Sequence, residues 1–296
     1  MRIAAIIPSL ANDKTKAYLR LCVESLRATT DWDIIVVTNG AHAPEPLNID
    51  GITMRLHTRD QGQCNAVNIG AQVANADYLF IVNDDMYFAP GWNRNLRFNY
   101  PVFSPNLIEP TDNTGSAAPF LKLDAGFTLT DFDKDKVDDF VANEDIMQFK
   151  KFAKLNDDNN LDPIRSKSFL DATIEPGLNF PLFIRKDVWD TIGGYDVAYD
   201  PWGSNSDTDL QTKINLAGIT PMRLRDVLVY HFSSKSGTFD GTHQDFYMNN
   251  IEYFKQKFGF DRDELGSDVW YNKDMLPEDL TNIKFKADWI GKYAKD

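Results

Sequence analysis

The sequence predicts an α/β fold with a mostly parallel central sheet flanked by helices, a helical and loop insertion, and a helical C-terminal extension. Three observations carry this. Unbroken apolar runs at 3–7, 34–37 and 78–82 have the pattern of strands covered on both faces. Between the runs lie segments with helical spacing, such as Leu19, Cys22, Val23 and Leu26 on one face of 14–28. Turn-forming residues close the runs, as in Thr38-Asn39-Gly40. Strands alternating with helices imply right-handed crossovers and a parallel sheet.

Taken in order, the elements are a strand at 3–7, a helix at 14–28, strands at 34–37 and 54–57, a helix at 63–75 and a strand at 78–82. From 105 to 175 the rhythm is lost. That stretch is rich in Asp, Asn and Lys, includes the run Asn156-Asp157-Asp158-Asn159-Asn160, and reads as loops with one or two helices near 137–142 and 146–153. Order returns with a strand at 180–184, a short helix around Val188 and Trp189, and a helix at 207–217 stopped by Gly218. A late strand follows at 227–232, and then an aromatic-rich helical tail. The expected organisation is one domain over 1–240, with halves at 1–104 and 176–240 around the insertion at 105–175. An extension over 241–296 completes it.

Composition narrows the function. The chain has 296 residues and a formal net charge of -13, without a clustered Lys/Arg stripe, so a nucleic-acid partner is not expected. Anionic substrates remain open to it if backbone amides or a bound cation meet their charge. Cys22 and Cys64 are too few for a disulfide framework and fit a reducing, cytoplasmic setting. The first apolar run is short and broken by Pro8, which makes it a buried strand rather than a signal peptide, and no stretch is long enough to span a bilayer.

In a parallel sheet, ligands bind beyond the carboxyl ends of the strands, so the polar residues there matter most: Ser9, Asn39, Asp60 and Asn83-Asp84-Asp85. The last group gathers carboxylates directly after an apolar strand. It is either a site for a hard cation such as Mg²⁺ or Mn²⁺, or a solvated Asx-rich turn. Asp60-Gln61-Gly62 and Asn68-Ile69-Gly70 allow a tight strand-to-helix turn. Asp207 and Asp209 fall at a helix start, where each is either a cap or a general base. His231 ends the late strand and is either a metal ligand or structural.

The order and spacing of these elements resemble the family 2 glycosyltransferases, which have the GT-A fold, a Rossmann-like sheet. The matching series is Ile6-Ile7-Pro8-Ser9, Asp60-Gln61-Gly62, Asn68-Ile69-Gly70, Asn83-Asp84-Asp85, Pro90-Gly91-Trp92, a strand-borne Gly193-Gly194-Tyr195-Asp196, Asp207-Thr208-Asp209-Leu210 and His231. The resemblance covers residues 3–104 and 177–237. It implies transfer of a sugar from a nucleotide-diphosphate sugar to a hydroxyl of a glycan or glycolipid, with a divalent metal, Mn²⁺ or Mg²⁺. Asp85 and His231 are implied as metal ligands and Asp207 as the base of an inverting reaction. Pro8, Ser9, Asn39, Asp60, Asn68, Asn83 and Asp84 are implied on the donor side. Asn83 stands where the D-x-D motif usually has its first Asp, and Ser206 where a Glu usually precedes the base. Membrane association is expected only through a glycolipid acceptor. A binding protein of this fold without transferase activity, or a nucleotidyltransferase, is the alternative; a dehydrogenase is not, because no G-x-G-x-x-G follows the first strand.

Overall fold

The computed structural model describes residues 1–40, 47–59, 62–110, 121–143, 173–233, 235 and 244–260. The strands are β1 (Ile3–Ser9), β2 (Asp33–Asn39), β3 (Met54–Thr58), β4 (Tyr78–Ile81), β5 (Met86–Tyr87), β6 (Val102–Pro110), β7 (Leu121–Leu123), β8 (Ile174–Pro176), β9 (Leu182–Arg185) and β10 (Met222–His231). The helices are α1 (Lys16–Thr29), α2 (Gln63–Val73), α3 (Lys134–Ala142), α4 (Lys186–Ile192), α5 (Ser206–Leu216) and α6 (Gln244–Phe258). One sheet runs in the order β3-β2-β1-β4-β9-β6-β10-β5, with β7 beside β6 and β8 beside β10. β1 to β4 are mutually parallel, and β6 and β10 run the same way because β9 lies antiparallel between β4 and β6. The mostly parallel α/β sheet expected from the sequence is therefore present.

Side-chain alternation along β1 divides the core into two layers. Ile3, Ala5 and Ile7 face α1 and α3, whereas Ala4 and Ile6 face α2, α4, α5 and α6. On the first face, register aligns Phe80, Phe183 and Phe103 across β4, β9 and β6. Phe80 stacks on Phe183 at 4.0 Å between centroids, and Phe183 on Phe103 at 4.7 Å. Trp92 of the Pro-Gly-Trp segment stacks on Phe80 and donates its indole N–H to Thr29 of α1 at 3.0 Å. That segment is thus an anchor for the loop that follows β5.

Two expectations require correction. Residues 102–110 form β6, buried at every position and central to the sheet, so the boundary at 104/105 cuts through a core strand. Ser104, Pro105, Asn106 and Glu109 broke the apolar run, yet Ser104 is paired with Asn179 at 3.1 Å and Glu109 with Lys122 at 2.9 Å. Second, Gly193-Gly194-Tyr195-Asp196 is not strand-borne. It is the turn after α4, with Gly193 and Gly194 at φ 75 and 63°. The helix expected at 137–142 is α3; the one at 146–153, the run 156–160 and residues 261–296 lie outside the described residues.

α6, assigned to an extension, is part of the core: Phe254 and Phe258 are buried in the second layer. It also closes an ion network. Lys257 Nζ reaches Asp196 at 2.7 Å and pairs with Asp209, while Lys213 lies 3.2 Å from Asp209. Tyr253 donates to Asp196 at 2.8 Å and Tyr199 to Asp209 at 3.2 Å. Burial raises the pKa of Asp196, but the charge and hydrogen bond of Lys257 outweigh it and hold the carboxyl below its usual value. Among the described residues no helix is long and apolar enough to cross a membrane. Removing one cation from a buried network leaves carboxylates unpaired. Lys257→Met should therefore destabilise the protein by about 3 kcal/mol in chemical denaturation; an unchanged midpoint and slope would show that α6 does not depend on these charges.

Candidate active site

Every strand that shares the direction of β1 ends on one edge of the sheet, and the polar residues gather there. Ser9 closes β1, Asn39 closes β2, Asn83-Asp84-Asp85 follow β4, Glu109 lies at the end of β6 and His231 ends β10. Ile108 pairs with Tyr230, which sets Glu109 and His231 side by side. His231 pairs across to Met86, which brings Asp85 against the end of β10, where its carbonyl accepts from the Phe232 N–H at 3.0 Å.

Asp84 and Asp85 are each only 1 % exposed, which rules out the solvated turn. Asp84 accepts from the Ser9 hydroxyl, and Asp85 Oδ2 from the backbone N–H of Lys235 at 2.9 Å. Asp84 Oδ1 is buried without a hydrogen-bond partner, and Asp85 Oδ1 has only His231 beside it. Burial, and then the neighbouring Asp85 charge, push Asp84 well above the usual carboxylate range. Burial also opposes ionisation of Asp85, but the charge and hydrogen bond of His231 hold it below its usual value. His231 spans two carboxylates, with Nε2 at 3.5 Å from Asp85 Oδ1 and Nδ1 at 3.1 Å from Glu109 Oε1. Burial alone would depress its pKa; the two acids overcome this and push it up to about 9. The imidazolium supplies the positive charge that Asp85 requires.

The donor set fits a divalent cation. Asp85 Oδ1 and His231 Nε2, 3.5 Å apart, would offer an oxygen and a nitrogen ligand once a cation displaced the imidazolium proton, and Mn²⁺ accepts both types. Among the described residues no three His, Cys, Asp or Glu side chains form an ion site by themselves. A cation held by these two residues would remain open to substrate oxygens, as phosphate-bound Mg²⁺ commonly is.

α2 and α5 bring the second half of the site to the same edge. The Gly62 N–H donates to Asn39 Oδ1 at 3.2 Å, and Gln63 reaches Ser206 Oγ at 3.4 Å, so the N-termini of both helices meet beside β2. Gly62 is at φ 146°, and a Cβ there would strike the Asp200 carboxylate at 2.1 Å. Asp200 accepts from the N–H groups of Cys64 at 3.1 Å and Asn65 at 2.9 Å, capping α2 from a distant loop.

The two acids of α5 separate cleanly. Asp209 is fully buried in the ion network and has no access to a substrate. Asp207 is exposed, and its Oδ1 accepts from the Tyr195 hydroxyl at 2.9 Å. Protein crowding deprives its carboxyl of hydration and pushes its pKa up to about 6 against that hydrogen bond. The N-cap of α5 is Asn205, which makes no side-chain capping bond.

Strain concentrates around these residues. The described non-glycine residues with positive φ are Ala11, Asn205 and Ser233, at 47, 65 and 59°. They lie two residues from Ser9, Asp207 and His231, where such conformations cost roughly 1–3 kcal/mol each.

Of the other residues named from the sequence, Pro8 is partly exposed beside Val37, Asn83 is partly exposed with its carbonyl 3.5 Å from the Cys22 thiol, and Asp60 lies outside the described residues. Asn68 spends its amide on protein: Oδ1 accepts from the Tyr195 N–H at 2.9 Å and Nδ2 donates to the Tyr195 carbonyl at 2.8 Å. Glu109 and Asp200 escaped the sequence reading, and Tyr195 was named only as part of its motif, without a role; for Glu109 the signal was its place at the end of a strand, lost with β6. Asn68→Ala should lower stability by about 1–2 kcal/mol while leaving nucleoside diphosphate affinity unchanged. A weakened affinity in calorimetry, with stability intact, would return Asn68 to the donor side.

Comparison with known proteins agrees with the motifs. Residues 5–97 match the family model described as Glycosyl transferase family 2. No curated protein matches the chain. Solved structures that match include TarS 1-349 of S. aureus, at 13 % identity over 91 % of this chain and 77 % of that one, with a TM-score of 0.48. The same fragment in complex with UDP-GlcNAc matches at 13 % over 95 % and 83 %, with a TM-score of 0.46. The mannosyltransferase PcManGT from Pyrobaculum calidifontis, in complex with GDP-Man and Mn²⁺, matches at 12 % over 87 % and 63 %, with a TM-score of 0.48. Residues 5–97, which hold β1 to β4 and the Asn83-Asp84-Asp85 turn, are thus the part of the chain that is similar to the glycosyl transferase family 2 proteins.

Proposed function

We propose that the protein transfers a sugar from a nucleoside-diphosphate sugar to a hydroxyl of a glycan or glycolipid, with a divalent cation and with inversion at the anomeric carbon. The observation that carries this reading is the strand-end cluster: two buried adjacent carboxylates, with Asp84 Oδ1 unpartnered and His231 against Asp85 Oδ1. Adjacent buried acids repel unless a positive charge is near. Asp85 and His231 are the residues that would hold the cation, which when bound would neutralise charge on the leaving diphosphate. A chain of net charge -13 needs such a counter-charge to accept an anionic donor.

The remaining roles follow from position. Ser9 and Asn39, at the ends of β1 and β2, with Pro8 and Asn83 beside them, supply the nucleoside side. Asp207 takes the proton of the acceptor hydroxyl as its oxygen attacks the anomeric carbon; the bond to the diphosphate breaks on the opposite face. A pKa of about 6 leaves Asp207 ionised at pH 7 and still basic enough to accept that proton. A protein that only bound sugar nucleotides, or a nucleotidyltransferase, would have no need of a reachable base, so Asp207 favours transfer. Two free, buried cysteines are consistent with a cytoplasmic enzyme.

Asp207→Asn keeps the size of the side chain and removes the base. It should bind donor normally and lose about a hundredfold or more in kcat, with donor KM unchanged. Near-normal turnover would refute the base assignment.

A further inference from the structure

We infer that Tyr195 is a positioning residue for Asp207, and that Asn68 of α2 in turn fixes Tyr195. The inference rests on Asp207 being the base. Asn68 clasps the Tyr195 backbone at two points, accepting its N–H at 2.9 Å and donating to its carbonyl at 2.8 Å. The preceding residue must be glycine for this approach: a Cβ on Gly194, at φ 63°, would meet Asn68 Oδ1 at 2.6 Å and the Trp189 ring at 2.8 Å. The Tyr195 ring is 4 % exposed, held edge-on by Trp189 at 5.8 Å and stacked by Phe180 at 6.3 Å. With backbone and ring both fixed, the hydroxyl has one place to go, and it lies 2.9 Å from Asp207 Oδ1. Tyr195 differs from a phenylalanine by a single oxygen, and that oxygen meets the base.

The bond does two things. It pins Oδ1 and leaves Oδ2 to take the acceptor proton, which removes a side-chain rotation from the reaction. It also favours the ionised form of Asp207 and so opposes the desolvation that raises its pKa. Tyr195 remains a donor throughout, because burial and then the charge of Asp207 push its own pKa well above the usual phenol value. The other titratable groups near the pair are Cys64 of α2 and Asp200 of the facing loop. Burial keeps the Cys64 thiol neutral, and Asp200 is bound to the N–H groups at the start of α2. Tyr195 is therefore the group that tunes Asp207.

The test is carbon-detected NMR titration of the carboxyl groups in the protein itself, with Asp207→Asn assigning the signal. Asp207 should titrate near 6 in the wild type. In Tyr195→Phe the midpoint should rise by about one unit, and kcat at pH 7 should fall about tenfold with donor KM unchanged. Asn68→Ala keeps the hydroxyl but loosens its mounting, and should move the midpoint the same way by a smaller amount. A merely structural Tyr195 would lower the unfolding temperature and leave the midpoint where it was; an unmoved midpoint in a folded Tyr195→Phe overturns the inference. Full turnover by Asp207→Asn would instead overturn the base assignment beneath it, whatever the titration shows.

Discussion

The structure depends on one electrostatic constraint: two neighbouring carboxylates, Asp84 and Asp85, are held almost out of water at the end of β4. Their position follows from the sheet. β4 sits between β1 and β9, the Phe80-Phe183-Phe103 stack fixes its register, and Trp92 anchors the chain just beyond the acids. The acids cannot swing out to solvent, so the edge has to supply positive charge and donors. Ser9 gives a hydroxyl, Lys235 a backbone N–H, and His231 an imidazolium that Glu109 supports from β6. Even so, Asp84 Oδ1 is left without a partner. An arrangement that costs stability in the bare protein and is relieved by a cation is what a binding site for an anionic, cation-bound substrate requires.

Stability is recovered elsewhere, close to the site. The network of Lys257, Lys213, Asp196 and Asp209 ties α6 to α5 and to the turn after α4. Asn250 adds to it, donating to the carbonyls of Tyr199 at 3.2 Å and Ser204 at 3.0 Å. The loop that leads into Asp207 is thus fastened from below by α6. Backbone at Ala11, Asn205 and Ser233 carries positive φ, a cost borne next to Ser9, Asp207 and His231.

Much of this was legible in the sequence, for physical reasons. Strands buried on both faces read as apolar runs, and a polar cluster directly after such a run is conspicuous; Asn83-Asp84-Asp85 and His231 were found that way. β6 was hidden because its polar residues are satisfied by partners far along the chain, Asn179 and Lys122, which no local pattern reveals. Glu109 was missed with it. The pair Asp207 and Asp209 could not be divided from the sequence: residues two apart on a helix face different neighbours, and only the fold shows which one meets Lys257. Asn68 fits its motif, yet its amide is committed to Tyr195, a contact 127 residues away.

The central claim is that Asp85 and His231 hold a cation that in turn holds the diphosphate. Calorimetric titration of UDP and GDP into the wild-type protein, once with Mn²⁺ and once with EDTA, tests it most directly. The account predicts measurable binding of at least one of them with Mn²⁺, and loss of that binding by about tenfold or more with EDTA. Equal affinity in the two conditions would contradict it and return His231 to a purely structural role.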